Sequence, residues 1–112
     1  MITGGASGIG AATGRVLVSE GAFVVLTDVA DGHSVTADIG ESARFHSHDV
    51  TSDKSWTETV AFTIDTFGHL DVLVNCAGIF PGGTIEDTTL GAWQRVLDVN
   101  LKGTFYGCRQ AV

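Results

Sequence analysis

A strand tail running straight into a glycine-dominated stretch limits this chain more than any other feature. Met1-Ile2-Thr3 leads directly into Gly4-Gly5-Ala6-Ser7-Gly8-Ile9-Gly10, too flexible for anything but a tight loop. A helix is due next, from Ala11 to Ser19, with Ala12, Val16 and Leu17 apolar and Glu20-Gly21 as its stop. A loop without side chains, opening onto the free amides of a helix N-terminus, lets anionic oxygens approach the backbone. The spacing Gly4-x-x-x-Gly8-x-Gly10 is not the common GxGxxG, since Thr13 stands three residues after Gly10. It is not a P-loop either, because no Lys-Ser or Lys-Thr follows to meet a γ-phosphate. Taken alone, the glycines are equally a structural turn.

The rest of the chain says what the loop is attached to. Ala22 to Asp28 is a continuous apolar and β-branched run without polar alternation, which suggests a strand covered on both faces of a parallel sheet. A short helix around Ser34 to Ile39 and a strand from Ala43 to Val50 follow. Thr51 or Ser52 then caps an amphipathic helix whose stripe is Trp56, Val60, Ile64 and Phe67 and which Gly68 ends. Leu70 to Val74 is a further strand, and Asn75-Cys76-Ala77-Gly78 turns away from its end. After a loop at 79–87, one helix starts at Thr88 or Thr89 with Leu90, Trp93, Val96 and Leu97 on one face. A second runs from about Leu101 to Val112. Strands alternating with helices predict an α/β, doubly wound parallel sheet. The 112 residues fit one domain or a piece of one.

Composition excludes several partners. Six basic residues against thirteen acidic give a net charge of −7, and the basic residues are scattered singly, so no nucleic-acid surface is expected. No apolar stretch reaches the roughly 18–20 residues of a membrane span, and the N-terminus lacks a signal-like run, which points to a cytoplasmic protein. Cys76 and Cys108 are too few for a disulfide framework. His46, His48 and Asp49 stand together at a strand end, but no third ligand converges with the histidines, and no metal is expected. Trp56 and Trp93 sit at helical spacing from apolar residues and read as packing groups.

The second strand ends in Asp28, eighteen residues after Gly10, where an acid accepts from both hydroxyls of an adenosine ribose. A carboxylate there repels a 2′-phosphate, and neither Ser7 nor Val29 supplies an Arg to neutralise one, so NAD is expected over NADP. Thr3-Gly4-x-x-x-Gly8-x-Gly10, Asp28, His48-Asp49-Val50, Asn75-Cys76-Ala77-Gly78 and Val99-Asn100 together resemble, in order and spacing, the short-chain dehydrogenase/reductases. The resemblance implies a Rossmann-type fold. It also implies that Gly4 and the run Ser7, Gly8, Ile9 and Gly10 hold the pyrophosphate, Asp28 the ribose, and Asp49 with the Val50 backbone the adenine. Asn75, Cys76, Ala77 and Gly78 would lie along the cofactor. Cys76 replaces the family's usual second Asn, a change tolerated if that position acts through its backbone. Asn100 would kink its helix and hold a water in a catalytic proton relay; read by itself it is a helix-start residue.

Hydride transfer at a carbinol needs a proton acceptor, which the family supplies with a Ser and a Tyr-x-x-x-Lys pair. Here the only tyrosine, Tyr106, is followed four residues later by Gln110, and no lysine follows Lys102. The resemblance therefore implies a partial NAD-binding Rossmann domain over residues 1–112, short of most of its first strand and of the C-terminal half. The parent would be an NAD-dependent enzyme interconverting a small-molecule secondary alcohol and a ketone, a homo-oligomer when full length, and the stretch itself inactive. The alternative is a non-catalytic nucleotide-binding or interaction module. With only Met1 to Thr3 left of a central strand, an exposed sheet edge is expected.

Overall fold

The computed structural model describes residues 1–112. Its elements are β1 (Ile2–Thr3), α1 (Gly8–Ser19), β2 (Val24–Asp28), α2 (His33–Ile39), β3 (Ala43–Ser47), α3 (Asp53–Phe67), β4 (Val74–Asn75), α4 (Leu90–Leu97) and α5 (Gly103–Gln110). A π-helical turn, Asp98–Lys102, joins α4 to α5. The four strands are parallel in the order β3-β2-β1-β4. After β3 the chain crosses back to the other side of β1, so β1 and β4 flank the point where strand order reverses. In such sheets the crevice beyond the carboxyl ends of those strands is the natural ligand site.

The alternation of side chains along β2 explains the layers. Val24 and Leu26, with Ile2, pack under Leu17, Val18, Val35 and Ile39 of α1 and α2. Val25, with Met1, Val50 and Trp56, packs under Val60, Phe67, Val99 and Tyr106 on the opposite face. Helix α3 begins as its sequence demands: Ser52 Oγ accepts from the Ser55 N–H at 3.2 Å, and Gly68, at φ 89°, closes the other end. Trp56 is fully buried and donates its indole N–H to the Val50 carbonyl at 2.9 Å. Helix α5 crosses α3 at Gly107, where a Cβ would stand 2.5 Å from the Trp56 ring, so only glycine permits this approach.

Several boundaries differ from the sequence expectation. Strand β2 starts at Val24 because Ala22 is drawn into the end of α1, its N–H donating to the Leu17 carbonyl at 3.0 Å. Strand β3 stops at Ser47 because β2 ends at Asp28, whose carbonyl takes the last ladder bond from the His48 N–H at 2.9 Å. The strand expected at Leu70 to Val74 is Val74–Asn75, since β1 offers only Ile2 and Thr3 as partners. The helix expected to begin near Leu101 is instead continuous with α4: Leu97, Asp98, Lys102 and Gly103 all keep right-handed helical dihedrals through the π turn. β1 is central, as expected, with Ile2 and Thr3 buried, and β4, paired only with β1, forms an edge of the sheet. What remains open is an apolar cleft of about 320 Å³ at the amino end of the sheet, between Phe23, Val25, Phe67, Leu70 and Val72.

Candidate functional site

The glycine loop is built onto the sheet by backbone bonds. Gly5 N–H continues the ladder to the Thr27 carbonyl at 2.9 Å, and Ala6 N–H donates to Asp28 Oδ2 at 3.1 Å. The start of α1 then folds back on the loop so closely that a Cβ on Gly10 would lie 2.2 Å from the Gly4 carbonyl oxygen. Ser7 is extended and its side chain caps nothing, so the first-turn amides of α1 are left for whatever enters the cleft. Around Gly8 the space is open. The result is a backbone cradle with donors and the positive end of a helix dipole, suited to an anion.

Asp28 is half-buried, and its Oδ1 accepts from the Ala30 N–H at 3.0 Å. Each carboxylate oxygen thus keeps a further lone pair for a ligand hydroxyl. One strand over, Asp49 Oδ1 accepts from the N–H and the hydroxyl of Thr51 at 2.9 and 2.7 Å, and Oδ2 has no protein partner. His48, before it, is buried edge-to-face against Trp56, with Nδ1 3.0 Å from Thr27 Oγ1 and Nε2 unpartnered. Burial, aided by the nearby charge of His46 and opposed by Asp49, pushes the imidazole down to about 4, so it is neutral near pH 7.

The turn after β4 is tied to the end of β1. Thr3 Oγ1 accepts from both the Cys76 and Ala77 amides at 3.1 Å, and a Cβ on Gly4 would meet the Ala77 nitrogen at 2.8 Å. Cys76 packs against the cluster of Ile2, Val24 and Leu26, which a small apolar side chain satisfies. The sequence had offered Thr3 only as the residue before the glycines; its role as clamp between the two loops became visible when β1 and β4 paired.

Gly4, Ser7, Gly8, Ile9, Gly10, Asp28, Asp49, Val50, Cys76, Ala77 and Gly78 all line one cleft of about 1100 Å³ at the carboxyl ends of the strands. Two expected residues do not. Asn75 turns toward α5, its Oδ1 2.8 Å from where a Gly107 Cβ would sit. Asn100, within the π turn, spends its amide on Ile79, accepting from the N–H at 2.8 Å and donating to the carbonyl at 3.0 Å; the main-chain carbonyl of Asn100 accepts from Thr104 Oγ1 at 3.1 Å. Tyr106 packs on the Trp56 side of the sheet with the Arg109 guanidinium 5.1 Å from its ring. No group of three or more His, Cys, Asp or Glu side chains converges as a metal site would require. No helix is long and apolar enough to cross a membrane.

The short chain dehydrogenase family model matches residues 1–112. Over its whole length the chain is 48% identical to a 3-alpha-(or 20-beta)-hydroxysteroid dehydrogenase of Mycobacterium tuberculosis, of which it covers 44%. It is 38% identical to an NADP-dependent (R)-specific alcohol dehydrogenase of Lentilactobacillus kefiri, of which it covers 46%. Among solved structures, a short-chain dehydrogenase/reductase (glucose/ribitol dehydrogenase) from Brucella melitensis superimposes with a TM-score of 0.93 at 32% identity, over 98% of this chain and 48% of that one. The chain thus spans less than half the length of these relatives.

Proposed function

The chain belongs to the short-chain dehydrogenase family, and we propose that residues 1–112 are the NAD-binding portion of an oxidoreductase that interconverts a secondary alcohol and a ketone. The observation that carries this reading is the junction of Asp28 with the glycine loop, which sets a carboxylate beside uncapped helix amides in one cleft. The amides of Gly8 to Gly10 take the diphosphate, the free lone pairs of Asp28 take the ribose diol, and Asp49 Oδ2 with the Val50 backbone meets the adenine. Ala77 and Gly78 continue the floor toward the nicotinamide end. The bound nicotinamide supplies the chemistry of accepting or returning a hydride. With no arginine at Ser7 or Val29 and Asp28 facing the ribose, NAD is favoured over NADP.

A secondary alcohol on a hydroxysteroid-like skeleton is the substrate class that the hydroxysteroid-acting relative supports. Asn100 is a positioning residue in this reading, because its amide is engaged with Ile79 and its carbonyl with Thr104. The proton step needs a poised acceptor, and the Tyr-x-x-x-Lys pair that would supply it is not among these residues, where Gln110 stands four after Tyr106. The 112 residues accordingly bind cofactor and turn over nothing by themselves. Leu101 and Phe105 form an exposed apolar strip on the π turn and α5 that suits self-association of the whole enzyme.

Titrating the protein with NAD and NADP while following backbone amides by NMR tests the reading. Saturable NAD shifts at Gly8 to Gly10, Ala30 and Thr51, with weaker NADP binding, are expected. Shifts elsewhere, or none, would leave a non-catalytic interaction module as the better account.

A further inference from the structure

One wall of the cleft carries a polar row that the dinucleotide reading leaves unassigned. Gly91, Gln94, Arg95, Asp98 and Lys102 fall on one face of the continuous rod formed by α4 and the π turn, and all line the cleft. Most of the row is committed to itself: Lys102 Nζ lies 2.7 Å from Asp98 Oδ1, and Gln94 Nε2 donates to the same oxygen at 3.1 Å. Opposite, Asp28 and Asp49 are anchored by backbone and threonine donors. Arg95, exposed, is the one charged side chain of the cleft with neither a hydrogen bond nor an ion pair.

The residues on the same face locate it. Gly103 presses on Val50 so closely that a Cβ would stand 2.8 Å from Val50 Cγ2, and Val99, one turn earlier, packs against the cluster that contains Val50. Arg95 is one turn earlier again, exposed, and lines the same cleft as Asp49, Val50 and Thr51.

We propose that Arg95 is a specificity residue for the adenosine end of the cofactor, its guanidinium plane lying on the outward face of the adenine while the base edge meets Asp49 and Val50. This rests on the dinucleotide reading above and names a contact that reading lacks. A guanidinium is planar and weakly hydrated, and it stacks on aromatic faces where an ammonium acts as a point charge. In a chain of net charge −7, an uncommitted cation at the mouth also offsets the repulsion between Asp28, Asp49 and an incoming diphosphate. Stacking and charge are separable: Arg95→Lys keeps the charge and removes the plane.

The test compares AMP, NAD and nicotinamide mononucleotide, which has no adenine, on the wild-type protein, Arg95→Ala and Arg95→Lys. Affinities come from calorimetry or NMR titration, and circular dichroism checks the fold. Arg95→Ala is expected to weaken AMP and NAD by about fivefold to tenfold, consistent with a partly exposed cation–π contact. Arg95→Lys should recover less than half of that loss on a logarithmic scale, and the mononucleotide should be unaffected. Unchanged AMP affinity in Arg95→Ala, full recovery by lysine, or an equal loss for the mononucleotide would each overturn the stacking role while leaving the dinucleotide site standing. If wild-type protein binds AMP and NAD with no shift at the Gly8 to Gly10 amides, or binds neither, the dinucleotide reading itself falls and this contact with it.

Discussion

Asp28 Oδ2 accepts a hydrogen bond from the Ala6 N–H at 3.1 Å, so the acid that closes β2 is also a strut of the loop that follows β1. Two substitutions separate these duties. In Asp28→Asn the side-chain oxygen still accepts from Ala6, while the negative charge and the acceptor for the Ala30 N–H are gone. NAD binding weakens modestly, and the preference for NAD over NADP is expected to fall about tenfold, worth ~1.4 kcal/mol. Asp28→Ala also releases the strut, so it should lower thermal stability as well as affinity, by about 1–3 kcal/mol for a lost bond to a charged acceptor. Calorimetric titration of both cofactors with both variants checks this; an unchanged preference in Asp28→Asn removes the acid from ribose recognition.

The cradle depends on the contact between Gly10 and the Gly4 carbonyl, where a Cβ would have to occupy 2.2 Å. Neither atom belongs to a flexible side chain, so Gly10→Ala must shift the start of α1 or the loop, at a cost of about 1–3 kcal/mol and with loss of the aligned amides. Gly8→Ala is the informative contrast. Its surroundings are open, yet its φ of 51° penalises a side chain by roughly 1–2 kcal/mol. Urea midpoints should place Gly10→Ala at or below Gly8→Ala in stability, and NAD titration should show the larger loss for Gly10→Ala. A Gly10→Ala protein that binds as tightly as wild type would mean that the loop is not held in this closed form.

How much of this was legible in the sequence depended on how local the determining physics is. The loop, the strand-end acid and helix α3 were legible because glycine spacing, a Ser52 cap and a Gly68 stop act within a few residues. Strand lengths were misjudged because pairing, and not propensity, sets them: Leu70, Val72 and Leu73 suit a strand, but β1 offers only Ile2 and Thr3 to pair with. The break expected between Leu97 and Leu101 does not occur, because nothing there interrupts helical dihedrals and the extra residue is absorbed as a π turn. The clamp made by Thr3 and the cleft position of Arg95 were not legible, for a related reason. A threonine that clamps residues more than seventy positions away, or an arginine brought to a cleft by a helix face, has no signature of its own.

His48 makes stability sensitive to mild acid. Its folded-state value of about 4 lies below the ordinary 6.5, so the unfolded chain takes up the proton first as pH falls. The full contribution is therefore present above about pH 6.5 and is lost progressively down to about pH 4, amounting to no more than ~3 kcal/mol. The carboxylates of Asp31, Asp53 and Asp98, held below their usual value of 3.8 by hydrogen bonds from His33, from Arg109 and Gln110, and from Lys102 and Gln94, lose theirs at lower pH. His48→Leu fills the same apolar niche beside Trp56 and leaves Thr27 Oγ1 its Ile2 carbonyl. Urea midpoints measured at intervals between pH 4 and 7 should slope in wild type and flatten in the variant. Parallel slopes would show that another group carries the acid limb.

Asn100 and Ile79 exchange two hydrogen bonds across twenty-one residues, at 2.8 and 3.0 Å, and so fix the start of the 79–87 loop to the π turn. Because Gly78 and Ile79 line the cleft, this clamp sets the end of the site that lies beyond the turn after β4. Asn100→Ala removes both bonds. At this exposed position the loss in global stability should be about 1 kcal/mol, since water replaces the partners in part. The local effect should be larger, with hydrogen exchange at the Ile79 amide faster by about tenfold, the equivalent of ~1.4 kcal/mol of local opening. Asn100→Asp discriminates the two bonds: its carboxylate still accepts from the Ile79 N–H but sets a second oxygen against the Ile79 carbonyl, so it should relieve little of the defect. If Ile79 exchanges at the wild-type rate in both variants, the loop is held by its own turn bonds and Asn100 is free for a different task.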